Sequence, residues 1–219
     1  MSAPGFTARY VAYTADLALL GAPALLLAWR PLQRIGAAWR ALDADTQAAL
    51  DRAFAAGHIA LLDLAAALRA DVDFVGAMTD AVGAILAALV VAALAAWAVA
   101  AAYFVGFEAS PWQATPGKRA LGLRVARLDG RPLGVGRALL RFIAAGPSWL
   151  LLHLGHALVA FRADERAAHD LVAGTRVVRA AAPLPAWARA WLGLQIAAVA
   201  ALLAWVAWTL ARTVILLGL

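Results

Sequence analysis

Ala81-Val-Gly-Ala-Ile-Leu-Ala-Ala-Leu-Val-Val-Ala-Ala-Leu-Ala-Ala-Trp-Ala-Val-Ala-Ala-Ala-Tyr-Phe-Val-Gly-Phe107 runs without a single charged side chain. This stretch decides the fold class. A helix of about 20 apolar residues crosses the hydrocarbon core of a bilayer, and in lipid a helix satisfies its own backbone polar groups. Tyr103, Phe104 and Phe107 gather at one end of the run, as aromatic residues do at a membrane interface. Working outward, Tyr10 to Trp29 is a second such run, interrupted by Asp16 and softened by Pro23. Leu192 to Ala211 is a third, uncharged, with Trp187, Arg189 and Trp191 before it and Arg212 after it as interfacial anchors.

Composition agrees. Hydrophobic residues make up 65% of the 219 positions and charged residues 15%, against roughly a quarter charged in soluble domains. The net charge is +6, carried almost wholly by arginine with one lysine, Lys118. These charges lie in short clusters beside apolar runs, which suits anionic headgroups. No polar stripe with interleaved aromatics marks a nucleic-acid surface, and nucleic acid is not an expected partner. With no cysteine, disulfides, thiol catalysis and cysteine metal sites are excluded. The start lacks a basic n-region and a small-residue cleavage site, so the first run is expected to stay in the mature protein.

Between the first two runs, Arg30 to Asp80 reads as helical but not spanning. Trp39, Leu42, Leu50, Phe54, Leu61, Leu64 and Leu68 recur at helical steps, with acids and arginines on the other faces. Phe54 to Leu68 is its most apolar piece, expected as an amphipathic helix lying on the membrane or capping the bundle. Ala138 to Phe161 is long enough to span, but Gly146-Pro147 is expected to break it, making a re-entrant or interfacial helical hairpin. Leu121 to Leu128, entering the turn at Asp129-Gly130, and Gly174 to Arg179 read as short strands whose pairing puts both on one side of the membrane.

Arginine and lysine set the orientation. Arg30–Asp80 holds five arginines against seven aspartates, whereas Lys118, Arg119, Arg124 and Arg127 follow closely on the second run. The positive-inside rule places that basic segment and the N-terminus in the cytoplasm. The expected fold is an all-α integral membrane protein with three transmembrane helices, the broken hairpin and a small cytoplasmic β-hairpin-like element. Residues 5–180 form the main membrane domain, 30–80 an outer insertion and 183–219 an additional C-terminal transmembrane helix.

Asp16 is the first candidate for chemistry. A carboxylate in a span costs about 2.5–3.5 kcal/mol on insertion scales, so it needs company. Arg9, Tyr13 and Asp16 share one helical face, but Arg9 is ~10.5 Å away along the axis. A partner from the basic segment Lys118 to Arg141 is therefore expected. Two readings stay open: an ion- or proton-handling group, or a structural pair that locks a helix. Asp170 is expected to pair with Arg119, Arg124 or Arg141 or to order the turn after it. Ala163-Asp164-Glu165-Arg166 reads as a short helix capped by Asp164.

Gly5-Phe6-Thr7-Ala8-Arg9 leading to Asp16 resembles the opening of the RDD family of membrane proteins, named for an arginine and two aspartates. Thr115-Pro-Gly-Lys118, Gly122-Leu-Arg-Val125 and Asp129-Gly130 are similar to its segment after the second helix. His169-Asp170-Leu171, Ala173-Gly174-Thr175 and Val177-Val178 resemble its closing motif. The resemblance implies that Arg9, Asp16 and Asp170 are the three named residues, and it implies a role in moving an unidentified ligand. The acidic insertion and the helix after Pro183 go beyond the family pattern.

Other motifs carry less. Thr115-Pro116-Gly117-Lys118 lacks the earlier glycine and the following Ser/Thr of a phosphate loop, with Trp112 and Arg119 in those places. Lys118 and Arg119 are expected at headgroups or at Asp16. His153 and His156 share a helical face without a third metal ligand. No nucleophile has a base and an orienter. The sequence reading is thus a non-enzymatic bacterial inner-membrane protein without cofactor or metal. Its polar network is Arg9, Tyr13, Asp16, Lys118, Arg119, Arg141, His169 and Asp170, its partners the bilayer and a second copy or another membrane protein. It is a small transporter with Asp16 as its ionisable residue, or an assembly subunit whose polar residues only pack helices.

Overall fold

The computed structural model describes residues 5–57, 60–150, 156, 158–179 and 183–217. Helix α1 spans Gly5–Ala55, α2 Leu61–Ala70, α3 Val72–Ala109 and α4 Pro116–Ala120; strand β1 is Leu123–Arg127. Helix α5 spans Val135–Leu150, a 3-10 turn Leu158–Ala160, α6 Ala168–Ala173, strand β2 Thr175–Arg179 and α7 Ala186–Leu217. Among the described residues three helices are long and apolar enough to cross a membrane: Gly5–Ala55, Val72–Ala109 and Ala186–Thr213. Chain packing divides the molecule into two units, Leu20–Ala102 and the remainder, Met1–Leu19 with Tyr103–Leu219.

In the Leu20–Ala102 unit, the helix that holds the first apolar run does not end near Trp29. It continues through Pro23 and Pro31 to Ala55. Phe54 to Leu68 is not one helix, because Ala56 and Gly57 turn the chain and α2 begins only at Leu61. Gly57 takes a φ of 86°, a left-handed value that glycine reaches without a Cβ penalty. No residue of α2 is buried. Asp71 then caps α3 by accepting the Phe74 amide at 3.0 Å and pairs with Arg52 at 2.7 Å.

The other unit has a mixed core. Val11 and Ala12 of α1 pack with Leu121, Leu123, Val125, Leu133, Ala138 and Val177. Burying each such valine or leucine contributes about 1.5–3 kcal/mol. The two predicted strands pair antiparallel, with Leu123 opposite Arg179, Val125 opposite Val177 and Arg127 opposite Thr175. Alternation puts Leu123, Val125 and Val177 inward and Arg124 and Arg176 outward. The strands are partners across α5 and α6 rather than a hairpin, with Asp129-Gly130 turning the chain toward α5.

Helix α5 buries Ala138, Arg141, Phe142, Ala145 and Ser148, the steps of one helical face, while Val135, Leu139, Leu140 and Ile143 are exposed. A charge turned inward with leucines outward inverts the pattern of a helix in water and suits an apolar solvent. The helix does not break at Gly146-Pro147. It runs from Val135 through Pro147 to Leu150, where proline forgoes only the bond to the Ile143 carbonyl. Helix α5 and the Leu158–Ala160 turn are the described parts of the expected hairpin. Nor do Ala163 to Arg166 form a helix capped by Asp164. Asp164 binds Arg162 at 2.8 Å, and α6 starts at Ala168, its entry held by the Asp170 carboxylate on the Ala167 amide at 3.2 Å.

Candidate functional site

Two polar centres form where α1 meets the segments after Tyr103. The first surrounds Asp16, which is fully buried. Its carboxyl group accepts from the Tyr103 hydroxyl at 2.7 Å, the Thr115 hydroxyl at 2.5 Å and the Gly117 amide at 2.7 Å. All three donors are neutral. The expected cationic partner is absent among the described residues, because the turn into α4 presents a hydroxyl and a free amide closer than any basic side chain. Thr115 also caps α4, accepting the Lys118 amide at 3.4 Å, with Pro116 in the first turn where its missing N–H costs nothing. Bonds to a charged group contribute about 1.5–3 kcal/mol each, so three offset the several kcal/mol of burying one ion.

The second centre is a chain of ion pairs. Arg141 of α5 holds Glu108 of α3 through Nη1 at 2.6 and 2.7 Å, and Asp170 of α6 through Nε at 3.0 Å. Arg9 of α1 reaches the other Asp170 oxygen at 2.8 Å and the Glu165 carbonyl at 2.6 Å. Lys118 pairs with Glu108 and lies over the Phe104 ring, 5.6 Å from its centre. Thr175 adds a bond to Asp170 at 3.2 Å. Arg166 fastens the Asp170 and Thr175 carbonyls, each at 3.0 Å.

The electrostatics follow from that packing. Burial raises the Asp170 pKa, but the guanidinium groups of Arg141 and Arg9 outweigh it and hold the carboxyl well below the usual carboxylate range. Burial likewise works against the charge on Arg141, yet Glu108 and Asp170 beside it keep its pKa above the ordinary value. His169 is driven the other way. Burial and then the neighbouring Arg141 push it well below the usual histidine range, so the ring is neutral. Its Nε2 stands 3.0 Å from Nη2 of Arg141. A guanidinium can only donate, so Nε2 accepts and the ring proton sits on Nδ1.

This second centre borders a cavity of about 540 Å3. Arg9, Glu108, Lys118, Arg141 and His169 line it on the polar side. Phe6, Tyr10, Tyr13, Phe104, Phe142 and Trp149 contribute aromatic rings to the remainder. Asp170 stands behind the wall, fully buried, and Asp16 does not line the cavity.

Of the predicted network, Arg9, Lys118, Arg141, His169 and Asp170 come together. Tyr13 lines the same cavity, stacked near Phe104 and His156 at 6.3 and 5.7 Å between ring centres. Asp16 belongs to the separate centre, so the stripe Arg9–Tyr13–Asp16 divides between two sites. Arg119 joins neither; it lies over the Trp112 ring at 4.2 Å, a cation–π contact. Of the expected partners Arg119, Arg124 and Arg141, Asp170 bonds to Arg141, and a second arginine that was not expected there, Arg9, takes its other oxygen. Lys118 meets Glu108 rather than Asp16. Glu108 escaped the sequence reading because the uncharged run was closed at Phe107, one residue before it. A lone carboxylate ten positions before Lys118 was the available signal. Tyr103, Thr115 and Gly117 were also missed as Asp16 partners; Thr-Pro at a helix start marks the cap but not what the cap faces.

His156 borders the cavity, its ring 4.7 Å from His169, while His153 lies outside the described residues. Among the described residues no group of three His, Asp or Glu side chains is placed to hold a metal ion. Trp191, read as an interfacial anchor, donates its indole N–H to Thr14 of α1 at 3.0 Å.

The RDD family model matches residues 3–174. The chain belongs to the RDD family. This RDD protein is also 34% identical over 76 residues to an uncharacterized protein, YxaI, of Bacillus subtilis (strain 168), covering 35% of this chain and 50% of the relative. It thus spans about half the length of that curated relative. No solved structure matches. The three residues assigned from the resemblance, Arg9, Asp16 and Asp170, are all partnered, with Arg9 and Asp170 bonded to each other.

Proposed function

We propose that this RDD protein binds a small solute in the cavity beside Arg9, Arg141 and Lys118 and carries it across the membrane. The observation that carries the reading is the cavity itself, about 540 Å3 and lined by both aromatic rings and charged side chains. Such a concave, largely apolar space with a few convergent polar groups is the usual form of a small-molecule site. In this reading Arg9, Lys118, Arg141 and His169 contact the solute, and Asp170 positions Arg9 and Arg141. Asp16 is the staple that fixes α4 against α1, its three neutral donors from within the chain favouring structure over ion handling. The protein works in a bacterial inner membrane with Lys118 and the N-terminus on the cytoplasmic side, as the cluster Lys118, Arg119, Arg124 and Arg127 suggests. It needs no cofactor and performs no bond chemistry. So few spans favour a homo-oligomer as the transporting unit.

The test uses purified full-length protein in sealed vesicles with an internal pH dye, screened under a pH gradient with metal cations and organic acids. At least one solute is expected to give a flux that Ala145→Trp, which fills the cavity, abolishes while thermal unfolding stays cooperative. Flux untouched by that variant moves the pathway elsewhere, and silence across the whole panel removes transport. A second reading, a non-transporting assembly subunit, draws on the same three bonds of Asp16, each of which joins α1 to another part of this chain. It predicts stable co-purification with one defined membrane protein and no flux.

A further inference from the structure

Three buried side-chain nitrogens have no hydrogen-bond acceptor among the described residues and belong to side chains that line this one cavity: Nε of Arg9, Nδ1 of His169 and Nε1 of Trp149. All three are donors. Arginine and the indole N–H donate only, and the His169 tautomer, set by Arg141 on Nε2, leaves its proton on Nδ1. Leaving such a group unsatisfied costs about 1–3 kcal/mol, more where it is charged. These donor nitrogens lie just beneath the cavity surface, where the described residues offer them no acceptor.

The charges repeat the message. Arg9, Lys118 and Arg141 line the cavity, and Glu108 is the one carboxylate that lines it with them. Asp170 sits behind Arg9 and Arg141 and Glu165 takes the Gly5 amide at 2.7 Å, so neither presents its charge to the interior. Lys118 spends one of its three donors on Glu108. The remaining wall is aromatic and aliphatic, including Phe6, Tyr10, Phe104, Phe142 and Trp149. Such a wall repels a small hydrated ion and attracts a carbon skeleton.

We propose that the cavity takes an organic anion, a carboxylate or phosphate joined to an apolar body, with its oxygens at Arg9, Lys118 and His169 and its body among the rings. The inference rests on the reading of the cavity as a solute site and names the class of solute. The donors recognise the charged oxygens alone. A soluble aromatic or aliphatic acid and the headgroup of an anionic lipid are therefore two sources of one chemistry.

The experiment is calorimetric titration of the full chain in phosphatidylcholine nanodiscs with three probes of one shape: 2-naphthoate, 2-naphthylmethanol and 2-naphthylmethylammonium. Naphthoate is expected to bind at least about tenfold more tightly than the alcohol, a difference of 1.4 kcal/mol, and the ammonium to give no heat. Lys118→Gln is expected to weaken naphthoate by about tenfold and leave the alcohol unchanged. Trp149→Phe, which keeps the ring and removes one donor, serves where Lys118→Gln fails to fold, with a loss of about threefold. Repeating the titration in nanodiscs that also contain phosphatidylglycerol separates the sources. Weaker naphthoate binding there means that the lipid headgroup competes for the cavity; unchanged binding means a soluble anion. Equal affinity for acid and alcohol, or naphthoate binding indifferent to both substitutions, overturns the anion class while leaving a solute site. If no probe binds and Ala145→Trp leaves flux unchanged, the solute site itself is lost.

Discussion

The backbone amide of Gly117 lies 2.7 Å from Oδ1 of Asp16, and this approach leaves no room for a side chain. A Cβ on residue 117 would meet the Ala12 carbonyl oxygen at 2.3 Å and the Asp16 carboxyl group at 2.8 Å. Glycine at 117 therefore brings α4 onto the Asp16 turn of α1. Gly117→Ala is expected to cost about 1–3 kcal/mol, the usual range for overpacking, seen as a lower unfolding midpoint in detergent. Asp16→Asn faces three donors with a group that accepts on one side only, and a loss on the order of 1–3 kcal/mol follows. Wild-type stability for either variant contradicts the staple.

Arg9 and Asp170, two of the three residues assigned from the family resemblance, are one ion pair. The pair joins the first helix to the segment before β2, with Arg9 bridging the Asp170 carboxylate and the Glu165 carbonyl. Lysine keeps the charge but offers no planar fork. Arg9→Lys is expected to retain the fold and lose on the order of 1–3 kcal/mol, whereas Arg9→Met, which leaves a buried carboxylate short of a partner, costs more. A Lys variant as damaging as Met in chemical unfolding would falsify the fork argument.

Glu108 is shared by Arg141 and Lys118. Removing a carboxylate from a buried pair leaves charges unpaired, at about 3–5 kcal/mol. Glu108→Gln is thus expected to destabilise far more than Lys118→Gln, since Arg141 still neutralises Glu108 in the latter. In the double variant part of the Glu108→Gln penalty should return. Strict additivity would show that Lys118 and Glu108 are not coupled.

The neutral, buried His169 makes stability depend on mild acid. Unfolded, the ring titrates near its ordinary value of about 6.5; folded, burial and Arg141 hold it well lower. Between those values the unfolded chain binds the extra proton, so stability is full above about 6.5 and falls as pH drops toward the folded value. Asp170 acts in a more acidic window. Its folded pKa is depressed, so its contribution is present above about 3.9 and is lost as the pH falls below that. The melting midpoint should decline from pH 7 to pH 5, and His169→Gln should flatten that decline. An identical slope in the variant assigns it to other groups.

The apolar runs and the alternating strands were legible because each follows a period of one element: about 20 uncharged residues for a span, two for a strand. Where neighbours along the chain do not determine the answer, the reading failed. Asp16 needed a partner, and charge alone pointed to Lys118 or Arg141, but Tyr103, Thr115 and Gly117 reach it through a turn whose geometry no spacing rule encodes. Pro147 was taken as a break although a helix with both flanks packed gives up one hydrogen bond more cheaply than a whole turn. The resemblance named Arg9 and Asp170 but not their contact, which depends on α1 and α6 closing across most of the chain.

Thr14 receives the indole of Trp191 at 3.0 Å and the Gln195 amide at 3.3 Å, while Tyr10 donates to the Gln195 carbonyl at 2.7 Å. Trp191 and Gln195 belong to α7, beyond the residues that match the family. The last helix is thus wired into the first through side chains that only a copy carrying both partners can reproduce. Grafting a foreign terminal helix onto this protein would need Trp191 and Gln195 transplanted with it, and shortening the chain before Ala186 would deprive the Tyr10 hydroxyl of Gln195 and leave that of Thr14 only its bond back to the Val11 carbonyl.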